Sequence, residues 1–192
     1  MSDIDAALAV LRSGGVVVLP TDTVYGVGVS VSAPGAIETL FNLKRRPFDK
    51  PIPVLGPDVA ALRDVVDIDE RAVAIAERFW PGPLTLVLPR AAGFSTDLGG
   101  DGGAKGVAVR VPAHDLTLEL LRAAGPLAVT SANRSGEPPA TTIEEVRSYL
   151  DSGVGAYLDG GACDGVPSSV VSLLDGVAML REGPISLAQI ST

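Results

Sequence analysis

The chain has 192 residues, enough for one ordinary domain with a real core. Hydrophobic residues make up 46% and charged residues 20%, which excludes an intrinsically disordered chain. A formal net charge of −8 speaks against a protein that grips duplex nucleic acid along its backbone, although a local basic patch is compatible with it.

The start, Met1-Ser2-Asp3-Ile4-Asp5, lacks the basic residues and long apolar run of a secretory signal. Residues 4–11 carry apolar side chains at helical spacing, and Gly14-Gly15 ends that helix. Val16-Val17-Val18-Leu19 is a β-branched run between Gly and Pro and reads as a buried strand, followed by a polar turn at Thr21-Asp22-Thr23. Residues 34–44 read as a helix with Ile37, Leu40 and Phe41 on one face; Lys44-Arg45-Arg46 closes it, where cations suit the helix dipole. A strand is predicted over 52–55 and helices over 58–65 and 69–79, the latter broken by Trp80-Pro81-Gly82-Pro83.

Strands follow at 84–88 and 107–111. The Gly-rich stretch between them, 91–106, is expected to be a mobile flap over a site. A helix over 116–123, a strand over 127–129 and a polar loop over 131–140 come next. Thr142-Ile143-Glu144-Glu145 is a capping box for a helix ending near Leu150. Segments 156–158, 170–174 and 177–180 complete the strands, and Asp175-Gly176 predicts a hairpin between the last two. The elements alternate, though not strictly, so the expected α/β fold is a mixed, twisted sheet with helices packed on it. Neither a repeat nor a linker is visible, and no apolar run approaches the roughly 20 residues that span a bilayer.

Four polar clusters sit beside these elements, where α/β proteins hold ligands. Pro20-Thr21-Asp22-Thr23-Val24-Tyr25-Gly26 follows a buried strand; it can hold a small polar ligand or be a β-turn with local hydrogen bonds. Lys44-Arg45-Arg46-Pro47, with Lys50 nearby, can neutralise a polyphosphate or be a solvated helix end, and Pro47, which fixes the departing chain, favours the former. Arg110, in Val109-Arg110-Val111-Pro112, ends an apolar strand and must meet a ligand carboxylate, a structural acid or solvent. The donor-rich run Thr130-Ser131-Ala132-Asn133-Arg134-Ser135-Gly136-Glu137, taken alone, is an ordinary polar loop.

Other chemistries find little support. One histidine, His114, and one cysteine, Cys163, exclude a zinc constellation and an intrachain disulfide, and fit a reducing compartment. There is no Gly-x-Ser-x-Gly elbow, Walker loop or Gly-x-Gly-x-x-Gly fingerprint. Trp80 reads as a packing corner and Cys163 as inert.

In this order the four clusters resemble the YrdC-like family of threonylcarbamoyl-AMP synthases, joined by Trp80-Pro81-Gly82-Pro83-Leu84-Thr85 and Leu180-Arg181-x-Gly183. The resemblance runs from about Val16 to about Ile185. It implies a single domain over 1–192, with an open, twisted, mixed parallel/antiparallel sheet flanked by helices. That is an α/β twist like that of double-stranded-RNA-binding domains, around a basic concave cavity. It implies a nucleotidyltransferase that joins L-threonine, bicarbonate and ATP into threonylcarbamoyl-AMP and pyrophosphate, for N6-threonylcarbamoyladenosine at position 37 of tRNA.

By the family's pattern Lys44, Arg46, Ser131 and Asn133 hold the phosphates, with Lys50, Thr141 and Arg181 at further ATP contacts. Thr23, Tyr25, Arg110, Thr130 and Ser168 fall at threonine-contacting positions, Arg110 pairing the amino-acid carboxylate. Magnesium is expected to arrive on ATP, with no tightly bound organic cofactor and no membrane partner. Separate transfer proteins are expected to deliver the group to tRNA, a weak tRNA contact stays open, and the expected location is the cytoplasm. Leu55 stands where longer archaeal and fungal-type members carry His, Glu182 where Pro is usual, and Ser169 where Thr is common. The extra C-terminal domain of longer members is not expected. A nucleotide- or RNA-binding module of the same fold, without synthase activity, is the competing reading. A carbamoyl-transfer domain like that of hydrogenase maturation proteins would bring zinc-finger and acylphosphatase-type regions, which this chain lacks.

Overall fold

Among the described residues nine strands join in one mixed sheet: β1 (Val16–Leu19), β2 (Gly26–Ser30), β3 (Val54–Leu55), β4 (Leu84–Pro89), β5 (Gly106–Arg110), β6 (Leu127–Ser131), β7 (Val154–Tyr157), β8 (Ser169–Ser172) and β9 (Ala178–Arg181). Their spatial order is β7-β1-β2-β6-β3-β5-β4-β8-β9. The structure is a computed structural model describing residues 2–100, 106–133, 137–150 and 152–191. The pairs β1–β7, β3–β5 and β4–β8 are parallel and the other five antiparallel, so the expected mixed open sheet is what forms. The Asp175-Gly176 hairpin joins β8 to β9 as anticipated, with Ser172 opposite Ala178.

The helices are α1 (Asp3–Arg12), α2 (Ala36–Lys44), α3 (Val59–Leu62), α4 (Glu70–Phe79), α5 (Asp115–Ala124), α6 (Ile143–Leu150) and α7 (Leu187–Ser191). Local chemistry sets their ends. Ser2 and Asp5 form a reciprocal capping box at α1, and Asp58 and Asp69 cap α3 and α4. The box foreseen at Thr142 is only half formed. Thr142 Oγ1 accepts from Glu145 N at 3.4 Å, but the Glu145 carboxylate turns to Thr141, accepting from its N–H at 2.7 Å and its hydroxyl at 3.1 Å.

Two apolar layers sandwich the sheet. Along β1, Val16 and Val18 join the larger cluster with α2 and α6, whereas Val17 and Leu19 face the smaller cluster built on α1 and α5. Strand β2, absent from the sequence reading, follows the same alternation. Val27 and Val29 enter the larger cluster, and Gly26 and Gly28 face the other way. A Cβ on either glycine would lie 2.6–2.8 Å from a Val129 methyl, so the glycines make room for β6.

The stretch foreseen as a flap is only partly described, since 101–105 lie outside the described residues. Its described part, 91–100, is anchored beside α2. Leu98 is buried, its carbonyl accepts from Ile52 N at 2.8 Å, and Gly100 N donates to Phe48 O at 2.6 Å. A flap over the site is therefore not what 91–100 forms; apolar Leu98 draws this segment into the core. No helix among the described residues is long and apolar enough to cross a membrane.

Gly183, two residues past the end of β9, lies against backbone. A Cβ there would sit 2.5 Å from Ser169 N and 2.7 Å from Pro167 O. Gly183→Ala is expected to destabilise the fold by about 1–3 kcal/mol, read from urea denaturation midpoints; an unchanged midpoint contradicts this packing.

Candidate active site

The site arises where the second face of the sheet runs out of helices. Ala7, Leu11, Leu120 and Leu121 of α1 and α5 cover Val17, Leu19, Leu127 and Val129. Farther along the sheet, Leu84, Leu86 and Leu88 of β4 and Val107 and Val109 of β5 enter the larger cluster. Alternation then leaves Thr85, Val87, Ala108 and Arg110 on the uncovered face, where they line a cavity of about 380 Å³. Pro51, Pro53, Pro139 and Pro167 also line it.

A larger open groove of about 780 Å³ runs along α2, with Glu38, Phe41, Phe48 and Asp97 in its wall. Of the sequence-predicted site residues only Arg46 reaches it. The smaller cavity gathers Thr23, Tyr25, Arg46, Arg110, Thr130, Ser131, Ser168 and Arg181. Chemistry, not size, therefore picks the site.

The phosphate-type cluster closes one side. Lys44 is buried at the C-terminal end of α2, and its Nζ donates to Ser131 O and to Asn133 Oδ1, the latter at 3.3 Å. Ser131 Oγ donates to the same Oδ1 at 2.6 Å, and Asn133 Nδ2 donates to Glu137 O at 2.6 Å. Arg45 takes a left-handed φ of 48°, which turns the chain so that Arg46 folds back. Arg46 Nε donates to Lys50 O at 2.9 Å, Nη2 to Pro51 O at 3.1 Å and Nη1 to Thr130 Oγ1 at 3.4 Å. Lys44, Arg46, Ser131 and Asn133 thus lie together. Ser135 and Gly136 of the same motif lie outside the described residues.

The other side is built on Arg110. Its Nε donates to Gly82 O at 2.8 Å, its Nη1 to Thr23 Oγ1 at 3.0 Å and its Nη2 to Asp22 Oδ1 at 2.6 Å. The Trp-Pro-Gly-Pro turn thus supplies an acceptor for the arginine, while Trp80 Nε1 donates to Leu84 O at 2.6 Å and serves as a corner. Thr21 and Thr23 share a 2.9 Å hydroxyl contact. Arg181 Nη2 donates to Ser168 O at 2.8 Å and to Ser168 Oγ at 3.1 Å, and that hydroxyl meets Thr85 Oγ1 at 2.8 Å.

Three predicted site residues use their polar atoms elsewhere. The Tyr25 hydroxyl donates to Gly161 O at 2.8 Å and accepts from Gly160 N at 3.1 Å, which ties the 159–161 loop to β1–β2. Burial raises its pKa to about 12, so the phenol stays protonated. The Thr141 hydroxyl is bonded to Glu145, and Lys50 is exposed and bonded through its backbone, its carbonyl accepting from Arg46 and its N–H donating to Pro47 O. Two residues without a predicted role, Asp22 and Thr85, each contact a predicted one. Parity along β4 could have placed Thr85 at the site; Asp22 had only its neighbours as a signal.

Burial lowers the pKa of Arg46, Arg110 and Arg181. Burial, with the nearby Arg46 cation, lowers Lys44 to about 8. The Arg110–Asp22 contact is the one ion pair among the described residues. Cations held by neutral oxygens around a cavity make an anion site.

Because the folded Lys44 value lies below its ordinary 10.5, the protonated side chain opposes folding in full below about pH 8, and the opposition fades as pH rises to 10.5. Chemical denaturation is therefore expected to show wild type gaining about 1–3 kcal/mol on Lys44→Met between pH 7.5 and pH 10. A gap independent of pH contradicts the buried cation.

The Sua5/YciO/YrdC family model, described as "Telomere recombination", matches residues 9–183. A Bacillus subtilis protein named threonylcarbamoyl-AMP synthase is 40% identical over 189 residues, covering 96% of this chain and 54% of that protein. The structure of Pyrococcus abyssi Sua5 complexed with L-threonine superposes with a TM-score of 0.92 at 36% identity, covering all of this chain and 57% of that one. E. coli YciO superposes with a TM-score of 0.88 at 25% identity, covering 97% of this chain and 92% of that one. The chain spans little more than half the length of the Bacillus and Pyrococcus proteins. A match across nearly the whole chain, on a sheet superposing this closely, makes it a member of the Sua5/YciO/YrdC family.

Proposed function

We propose that this protein is a threonylcarbamoyl-AMP synthase, transferring the adenylyl group of ATP to the carbamate of L-threonine for tRNA modification. The observation that carries the reading is that Arg46 and Ser131 line the same cavity as Arg110, Thr23 and Ser168, with Lys44 and Asn133 hydrogen-bonded to Ser131 behind them. Names of relatives and the threonine-bound Pyrococcus structure support the substrate class.

L-Threonine and bicarbonate condense to the carbamate with loss of water. A carbamate oxygen attacks the α-phosphorus of ATP, the bond to the bridging oxygen breaks, and pyrophosphate leaves. Two anions must meet, so fixed cations between them lower the barrier most. Lys44 and Arg46, with the Ser131 and Asn133 side chains, hold the phosphates; Arg181, in the cavity lining, is a further ATP contact in this reading, as are Lys50 and Thr141, which stand outside that lining. Arg110 takes the threonine carboxylate, with Thr23, Thr130 and Ser168 as hydroxyl partners and Tyr25 setting the wall. The described lining offers hydroxyls and no carboxylate, so magnesium enters as part of the ATP substrate, on phosphate oxygens and water. ATP and threonine are cytoplasmic metabolites, which fits a cytoplasmic site of action beside separate transfer proteins.

Purified protein with ATP, magnesium, L-threonine and labelled bicarbonate is expected to form an adenylate that needs threonine. Arg46→Ala or Lys44→Ala is expected to slow it at least about 100-fold while the circular dichroism spectrum is retained. A folded variant with full activity removes the phosphate role, and tRNA binding without any turnover favours a binding module.

A further inference from the structure

Asp22 is the only acid that touches the cations of the cavity among the described residues, yet it does not line the cavity. Its Oδ1 accepts both from Arg110 Nη2 at 2.6 Å and from Ala113 N at 2.9 Å. Its Oδ2 is buried and has no hydrogen-bond partner among the described residues. A carboxylate kept only to tie two loops together would be better served by an amide or a hydroxyl, because a buried carboxylate oxygen without a donor is costly. What the negative charge does satisfy is Arg110, which is 5% exposed and has Arg181 as a second cation nearby.

The guanidinium has five N–H groups, and three are engaged, with Gly82, Thr23 and Asp22. Two remain, one on each terminal nitrogen, enough to take both oxygens of a ligand carboxylate. Gly82 O, Thr23 Oγ1 and Asp22 Oδ1 hold the plane of the group from three directions before any ligand arrives. We propose that Asp22 is a positioning residue for amino-acid recognition: it holds Arg110 oriented so that its two remaining N–H groups grip the α-carboxylate of L-threonine. The proposal rests on the synthase reading for its ligand and adds a residue that acts through Arg110 alone.

Asp22→Asn isolates this role. The amide keeps an oxygen acceptor but replaces the charge-assisted bond that fixes Arg110 with a neutral one about half as strong, and puts its NH2 donors where Oδ2 has no partner. Loss of a negative charge by itself would favour every anion, ATP included. Loss of positioning weakens threonine alone. Calorimetric titration of L-threonine, with and without a non-hydrolysable ATP analogue, is expected to show at least about a tenfold weaker dissociation constant in Asp22→Asn, the scale seen when an outer partner of a binding group is removed. Binding of the ATP analogue is expected to stay within about twofold of wild type or to tighten. Asp22→Ser, smaller but still an acceptor, is the substitute if the amide variant does not fold. Unchanged threonine affinity, or equal weakening of both ligands, overturns the proposal. A wild type that binds threonine but forms no adenylate sinks the synthase reading and leaves the role of Asp22 intact; a wild type that binds no threonine overturns both.

Discussion

Buried and half-buried cations facing too few anions are the constraint around which this molecule is arranged: Lys44 and Arg110 are buried, Arg46 half-buried. Lys44 meets two oxygens of neutral groups, Arg46 three, and Arg110 two besides its single carboxylate. Each such group is desolvated at a cost that neutral acceptors offset only in part. The lowered pKa of all three expresses that imbalance. An arriving polyphosphate and carboxylate would correct it, so the energy withheld from folding is available for binding.

The sheet makes this arrangement affordable. Its larger apolar layer runs without interruption under α2, α4 and α6, and the opposite layer stops at α1 and α5. One sheet therefore carries a sealed core on one side and a half-open cavity on the other. Glycines at Gly26 and Gly28 let β6 close onto β2, which brings Ser131 at the end of β6 to the nitrogen of Lys44. Backbone carbonyls from turns do most of the holding: Gly82 for Arg110, Lys50 and Pro51 for Arg46, Ser168 for Arg181.

Much of this was legible in the chain because the determining signals are local. Val16-Val17-Val18-Leu19, the helix over 69–79 and the Asp175-Gly176 hairpin each carry their own period or turn chemistry, and the order of polar clusters pointed to the family. What escaped was whatever depends on contacts between distant segments. Strand β2 alternates Gly with Val, and its glycines make sense only against Val129. Leu98 looked like part of a loose glycine-rich stretch until Ile52 claimed its carbonyl. The Tyr25 hydroxyl reaches a loop some 135 residues away, a distance at which no spacing rule operates. Asp22 was visible as a residue but not as the partner of Arg110, because that pair joins the turn after β1 to the end of β5.

The central claim is that phosphates seat among Lys44, Arg46, Ser131 and Asn133 and not in the larger groove along α2. A crystal structure with a non-hydrolysable ATP analogue and L-threonine tests it most directly. Phosphate oxygens about 3 Å from Lys44 Nζ and the Arg46 guanidinium, with the threonine carboxylate on Arg110, are the expected result. Phosphates bound along the groove of Glu38 and Asp97, with the smaller cavity empty, would contradict the account.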